Sequence, residues 1–190
     1  MGTAFESINE PMQAFIERQH MFFVATAPSE GGRVNLSPKG YDSFRIVGPQ
    51  RVCYLDLTGS GAETIAHVLD NGRITFMFCA FEGKPNIVRL YGKGRVIGRN
   101  DPEFDSFNAS LDHPFDANAG ARSIIVADLD RTSNACGYAV PFMEYQEDRE
   151  RLNEHWSSKS ADDVAEYWGK KNSSSIDGLP ALIEPPRTTE

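Results

Sequence analysis

From Met21 onward the chain is cut into short apolar runs rich in Val, Ile, Phe and Tyr, each closed by Gly, Pro, Asn or Asp. This pattern constrains the fold more than anything else in the sequence. Runs at 21–27, 33–37, 43–47, 51–57, 73–81, 86–92, 94–98 and 121–129 read as strands, several of them as bent continuations of one another. The connections Pro28-Ser29-Glu30-Gly31-Gly32 and Glu82-Gly83-Lys84-Pro85 are of hairpin length, and hairpins make neighbours antiparallel. A doubly wound parallel sheet is thereby excluded. With only six or seven short strands, a closed barrel fills its interior with side chains. A large planar ligand must then bind outside it, and the interface between two such barrels is the obvious groove.

Helical patterns sit at the margins. Met12, Phe15 and Ile16 recur at helical spacing, with Ser7 and Glu10 placed to form a capping box. A second helix over 61–70 is expected to turn Ile65, Val68 and Leu69 inward, with Ser60 and Glu63 as its capping box and Asn71-Gly72 as its stop. An acidic insertion at 101–111 reads as helical. Two amphipathic helices are expected near the C-terminus, one over Phe142, Tyr145, Leu152 and Trp156, the other capped by Ser160 and carrying Val164 and Trp168. Beyond Asn172 a Ser run and Pro185-Pro186 mark a loop-like tail. The whole of 1–190 is expected to be one domain, with its core at about 20–130 and helices and tail at 141–190.

At 190 residues the chain is long enough to bury roughly 70% of the surface its unfolded form exposes, so a core without staples is expected. The 27 acidic residues outnumber 19 basic ones, and the longest basic run is Lys170-Lys171, which argues against nucleic acid as a partner. No apolar stretch approaches a membrane span, and no secretory leader is recognisable. Cys53, Cys79 and Cys136 are widely spaced and odd in number, and they read as buried, reduced thiols. A cytoplasmic protein is expected.

The usual catalytic constellations are missing from the sequence. His20, His67, His113 and His155 show no ligand spacing, so no metal is expected, and no nucleophile elbow, P-loop or dinucleotide fingerprint occurs. Asp128-Leu129-Asp130 lacks the rest of a calcium loop and reads as a solvated strand end.

The informative stretch is Leu57-Thr58-Gly59-Ser60-Gly61-Ala62-Glu63-Thr64, where a strand meets a helix start through two glycines. Glycine admits a ligand close to the backbone, and a helix start offers unpaired N–H groups to an anion, with hydroxyls on Thr58, Ser60 and Thr64 as further donors. The capping box alone also explains Ser60 and Glu63, and the Glu63 carboxylate opposes a phosphate. Lys39, in Asn35-Leu36-Ser37-Pro38-Lys39-Gly40, is either the cation such a phosphate needs or a solvated turn lysine. Arg89 alternates with Val88 and Leu90 and so faces the other side of its strand, where an acidic neighbour is an equally good partner.

Taken in order, the segments Phe23-Val24-Ala25-Thr26-Ala27, Asn35-Leu36-Ser37-Pro38-Lys39-Gly40, Tyr54-Leu55-Asp56-Leu57 with its Gly-Ser turn, Asp70-Asn71-Gly72-Arg73-Ile74-Thr75 and Val88-Arg89-Leu90-Tyr91-Gly92-Lys93-Gly94 resemble the pyridoxamine 5'-phosphate oxidase family. That resemblance implies a mainly β fold with peripheral helices, the antiparallel Greek-key split β-barrel, binding FMN between the subunits of a homodimer. It further implies an FMN-dependent oxidoreductase acting on a small-molecule substrate, with a nicotinamide as electron donor. Carried over by position, Ser37, Lys39 and Gly40, the strand end Asp56, Leu57 and Thr58, the turn Gly59 and Ser60, Thr64, and Arg89 from the ring-side strand are its cofactor-binding residues.

The sequence also departs from the family pattern. The vitamin-producing oxidases carry Arg-Lys after the Gly-Ser turn, where this chain has Gly61-Ala62, so Lys39 would have to supply the missing cation. They also end in an Arg- and His-containing substrate motif, whereas this chain runs Ile183-Glu184-Pro185-Pro186-Arg187. The run Ser175-Ile176-Asp177-Gly178-Leu179-Pro180 resembles a family branch with unassigned substrates, in which that segment and Trp168 would cover the flavin; for Trp168, plain packing in the core is the favoured alternative. No catalytic acid or base is identifiable, and a non-catalytic flavin- or haem-binding barrel is the competing expectation.

Overall fold

The structure, a computed structural model, describes residues 2–118 and 120–181. In chain order the elements are β1 (Thr3–Phe5), α1 (Glu10–Ile16), β2 (Phe22–Thr26), β3 (Asn35–Lys39), β4 (Phe44–Gly48), β5 (Arg51–Leu57), α2 (Glu63–Asn71), β6 (Arg73–Cys79), β7 (Ile87–Gly98), α3 (Glu103–Ala109), β8 (Ala121–Ala135), α4 (Arg151–Ser157) and α5 (Ala161–Lys171). The strands form one sheet in the order β3-β2-β6-β7-β8-β5-β4, with β1 added to β8, and every pairing is antiparallel.

The sheet curls because its two ends bury a common set of rings. Phe22 of β2 lies 5.0 Å from Phe44 of β4, and Phe44 lies 5.0 Å from Phe78 of β6 and 5.6 Å from Phe76. Tyr54 of β5 completes the cluster at 5.8 Å from Phe22, all in edge-on geometry that aromatic rings favour. Strand alternation sets which side chains enter: Phe22, Val24 and Thr26 are buried on β2 while Phe23 and Ala25 face the other side. The α2 helix packs over β2, β6 and β7, with Ile65, Ala66 and Val68 in the same core. A second cluster on the reverse side of β5 and β8 joins Cys53, Leu55, Ile97 and Val126 to Phe104 of α3, and a third is built from Trp156, Val164 and Trp168 of the C-terminal helices.

Several local expectations are corrected. The runs at 86–92 and 94–98 are one strand, β7, and β8 continues six residues past Leu129 to Ala135, so Asp128-Leu129-Asp130 is a mid-strand bulge rather than a strand end; Asp128 pairs with Arg51. A strand before the first helix, β1, carries too short a pattern to be read. Asn9, not Ser7, caps α1 by accepting from the Met12 N–H. The α2 helix begins at Glu63 with Ala62, not Ser60, at its N-cap and so has no side-chain cap, while Glu63 accepts from the C-terminal segment. Its stop is as expected, with Gly72 left-handed at φ 74°. Leu69 lies exposed. No helix covers Phe142 or Tyr145: residues 141–150 are irregular and exposed, and α4 starts only at Arg151. The Ser160 cap of α5 forms as a full capping box with Asp163. Cys136 is exposed, whereas Cys53 and Cys79 are buried free thiols. The Ile183–Arg187 stretch falls outside the described residues.

Candidate functional site

The sequence-predicted residues separate, most of them gathering at one corner of the sheet and Arg89 alone lying on its opposite face. The corner lies where β3, β5 and the start of α2 meet. Register places Asn35, Ser37 and Lys39 opposite Thr26, Val24 and Phe22, so these three side chains share the inner face of the edge strand β3. There Lys39 Nζ donates to Asp56 Oδ1 at 3.2 Å. Asp56 is almost fully buried, and its second oxygen accepts from Arg122 Nε at 2.8 Å and Nη2 at 2.7 Å. Burial by itself would raise the Asp56 pKa, but Arg122 and then Lys39 overcome it and hold the carboxyl below its ordinary value of 3.8. Arg122 Nη1 also donates to the Gly61 carbonyl at 2.9 Å and so fixes the glycine turn.

Around this ion-paired centre the hydroxyls are engaged. Thr64 Oγ1 accepts from Asn35 Nδ2 at 3.1 Å, Ser37 Oγ donates to Asn35 Oδ1 at 2.9 Å, and Thr26 Oγ1 meets His67 Nδ1 at 3.0 Å. Thr58 is wholly buried: its Oγ1 accepts from Trp168 Nε1 at 2.9 Å and its carbonyl accepts from Trp156 Nε1 at 2.9 Å. The Gly59 carbonyl accepts from Asn172 Nδ2 at 3.1 Å. Glu63 receives the Ile176 N–H at 3.0 Å, and Asp177 pairs with Arg33 beside it. Ser60 and Gly61 are exposed, with Leu57 and Gly59 half-buried at the rim and Gly40 half-buried after β3.

As folded in the single chain, this corner does not fit a phosphate. The cations Lys39 and Arg122 both pair with the Asp56 carboxylate, so the Lys39 ammonium is already spent on Asp56, and Glu63 beside the turn is an anion engaged by the Ile176 N–H. The turn offers carbonyls and a carboxylate to its neighbours, which are acceptors, as phosphate oxygens are.

Arg89 lies with a second group of residues on the outer face of β2, β6 and β7. Register aligns Phe23 with Met77 and Met77 with Arg89, and next to them Ala25 with Thr75 and Thr75 with Tyr91. All six are half-buried, and the exposed Leu36 of β3 extends the patch. Arg89 makes no ion pair or side-chain hydrogen bond among the described residues, so the acidic neighbour allowed for in the sequence reading is absent there. Sequence reasoning missed Arg122, Trp156 and Asn172. Arg122 sits inside an apolar run, and a lone arginine at the start of Ala121-Arg122-Ser123-Ile124-Ile125-Val126 was the available signal for a buried charge.

Comparison with known proteins agrees with this frame. The family model described as pyridoxamine 5'-phosphate oxidase matches residues 8–136, which span α1 through β8. The pyridoxamine 5'-phosphate oxidase family protein ustO of Aspergillus flavus is 37% identical over 197 aligned positions, covering 96% of this chain and 78% of that protein. Among solved structures, a single-substitution variant of HupZ from Group A Streptococcus superposes with a TM-score of 0.50 at 20% identity, over 67% of this chain and 99% of its own. A Lactobacillus delbrueckii protein of pyridoxamine 5'-phosphate oxidase type does so with a TM-score of 0.50 at 14% identity, over 67% of this chain and 94% of its own, a likeness of fold. A family match from α1 through β8, a relative of this identity over nearly the full chain, and a mainly antiparallel sheet with peripheral helices together make this chain a member of the pyridoxamine 5'-phosphate oxidase family, with its split-barrel fold.

Proposed function

We propose that the chain is a flavin-dependent oxidoreductase that works as a homodimer, with FMN as its cofactor, a small molecule as its substrate and a nicotinamide as its electron donor. The observation that carries this reading is the division of the site. Positions that face the flavin in the family fall on opposite faces of one sheet here, and Arg89 stands on the open face without an anionic partner among the described residues. One ligand can touch both groups only across two copies, each lending one face to the other's corner. Family membership supplies the cofactor class.

A bound flavin supplies the electron chemistry, while the chain's own groups bind and orient it and keep water away. In this reading Ser37, Lys39 and Gly40 line one side of the ligand, and Leu57, Gly59 and Ser60 give it backbone and hydroxyl contacts at the exposed rim. Asp56 and Thr64 are positioning residues: Asp56 holds the Lys39 ammonium and Thr64 holds the Asn35 amide. Arg89 of the second copy brings a guanidinium to the electron-rich edge of the ring.

The test is a titration of the purified protein with FMN and riboflavin, followed by flavin fluorescence and the visible spectrum, then anaerobic addition of NADH or NADPH. Quenching with subsequent bleaching of the flavin band is the expected result. Failure of both flavins to bind removes the proposal, and binding without reduction by either nicotinamide leaves a non-catalytic flavin binder.

A further inference from the structure

The corner at the end of β5 is already a binding site, and what fills it is the chain's own C-terminal segment. Its contacts come from α4 (Trp156), from α5 (Trp168) and from the stretch after it (Asn172 and Ile176). In all of them the incoming group is the donor: two indole N–H groups, a side-chain amide and a backbone N–H. The receiving groups are the Thr58 hydroxyl oxygen, the carbonyls of Thr58 and Gly59, and the Glu63 carboxylate. Arg122 donates from the opposite side to the Gly61 carbonyl. Every group of the turn that these occupants engage is thus an acceptor, and the Ser60 hydroxyl stays exposed beside them. Thr58, Trp156, Trp168 and Asn172 are each buried, so the contacts are shielded from water and carry more weight than surface hydrogen bonds.

The packing is as specific as the hydrogen bonding. Trp156 lies against Gly120, where an added Cβ would come within 2.9 Å of the indole, and it meets the Tyr167 ring edge-on at 5.0 Å. The isolated bridge between Ser174 and Pro180 folds the following stretch back on itself, and Arg33 clasps Asp177. Separate parts of the C-terminal segment therefore converge on one short stretch, Thr58 to Glu63.

We infer that residues 156–177 are a seated intramolecular plug, and that it makes the β5–α2 corner a reader of N–H donors instead of phosphate. In flavin binding, which rests on the function proposed above, the phosphate then contributes little, and FMN and riboflavin are recognised mainly by the ring and ribityl chain they share.

The full-length chain tests this in two ways, the first needing no flavin. Its two tryptophans are Trp156 and Trp168, so the indole N–H region of a nitrogen-resolved NMR spectrum holds two signals. Both are expected to exchange slowly with solvent and to stay in place when inorganic phosphate is added. Thr58→Val removes the acceptor of Trp168 alone and should speed exchange of that indole by about fivefold or more while the Trp156 signal, bonded to the backbone, holds. Fast exchange of both indoles in the unaltered chain, or a shift of both on phosphate addition, overturns the plug. In the second test, FMN and riboflavin should bind within about threefold of one another. A preference for FMN beyond about tenfold overturns the inference. Absence of binding by either flavin strikes the proposed function only, because the exchange and phosphate measurements decide the plug by themselves.

Discussion

Asp56 is the residue on which the corner turns. It is buried with an arginine on one oxygen and a lysine on the other, and a buried charge that loses its partners costs far more than the intact pair gains. Asp56→Ala leaves the Arg122 guanidinium unpaired in the core and should cost about 3–5 kcal/mol in urea unfolding, whereas Lys39→Ala, at a partly exposed position, should cost well under half of that. The pH dependence follows from the same contacts. Because the folded pKa of Asp56 lies below the unfolded value of 3.8, its contribution is complete above that value and is lost as the pH falls through the lower folded one. Asp56→Asn should therefore flatten the acid limb of the stability profile below about pH 4 and leave its slope near neutrality unchanged. An unaltered acid limb in Asp56→Asn would mean that another carboxylate controls it. Cys53 offers a different residue-scale contrast: burial pushes its thiol up to about 12, with Arg45 only partly offsetting it, whereas Cys136 is exposed. A maleimide should modify Cys136 in the native protein, and Cys53 should react only on unfolding.

Among the elements, β7 shows how a glycine sets a strand's path. At Gly92 the register with β8 shifts from Tyr91 opposite Arg131 to Gly92 opposite Leu129, so Asp130 is the extra residue of a bulge. A Cβ on Gly92 would lie 2.1 Å from the Asp128 carbonyl oxygen, a backbone atom that cannot step aside. Gly92→Ala should accordingly cost at least about 3 kcal/mol, measured as a lowered midpoint in thermal or urea unfolding, with the ladder between β7 and β8 losing amide protection near the bulge. Periodicity read this region as two strands because glycines at 92 and 94 interrupt the apolar pattern. Hydrogen bonding runs through both, since what the glycines provide is close approach and curvature. The opposite error occurred at Phe142 and Tyr145, whose spacing suits a helix face. They lie instead on an exposed irregular stretch held by other contacts: Tyr145 stacks on His20 at 3.6 Å, and the Met143 and Tyr145 N–H groups donate to the Phe81 carbonyl and the Glu82 carboxylate.

For the molecule as a whole, the proposed site requires two copies, and this has a consequence that a single-chain site lacks. Chains carrying Arg89→Ala and chains carrying Lys39→Ala should each bind flavin poorly, yet an equimolar mixture, refolded together, should recover about a quarter of the sites, since half the dimers pair the two variants and hold one intact site each. Sedimentation should find a dimer in all three samples, and a mixture no better than its components would place both residues in one chain's site or in none. The sequence alone determined the antiparallel hairpins, the helix stop at Gly72 and the Ser160 cap, because each of these is written in spacing over a few residues. The order of its segments from Phe22 onward carried the resemblance to the family. Tertiary structure decided the partners. Glu63 was locally suited to cap its own helix but accepts from Ile176, 113 positions away, and Thr58, read as a donor awaiting an anion, is filled by Trp168, 110 positions away. Lys39 had an exposed turn or a phosphate open to it and took Asp56. Periodicity reports which way a side chain points. Which group it meets depends on the long-range folding of the chain, and there the strongest available donor or charge displaces the local choice.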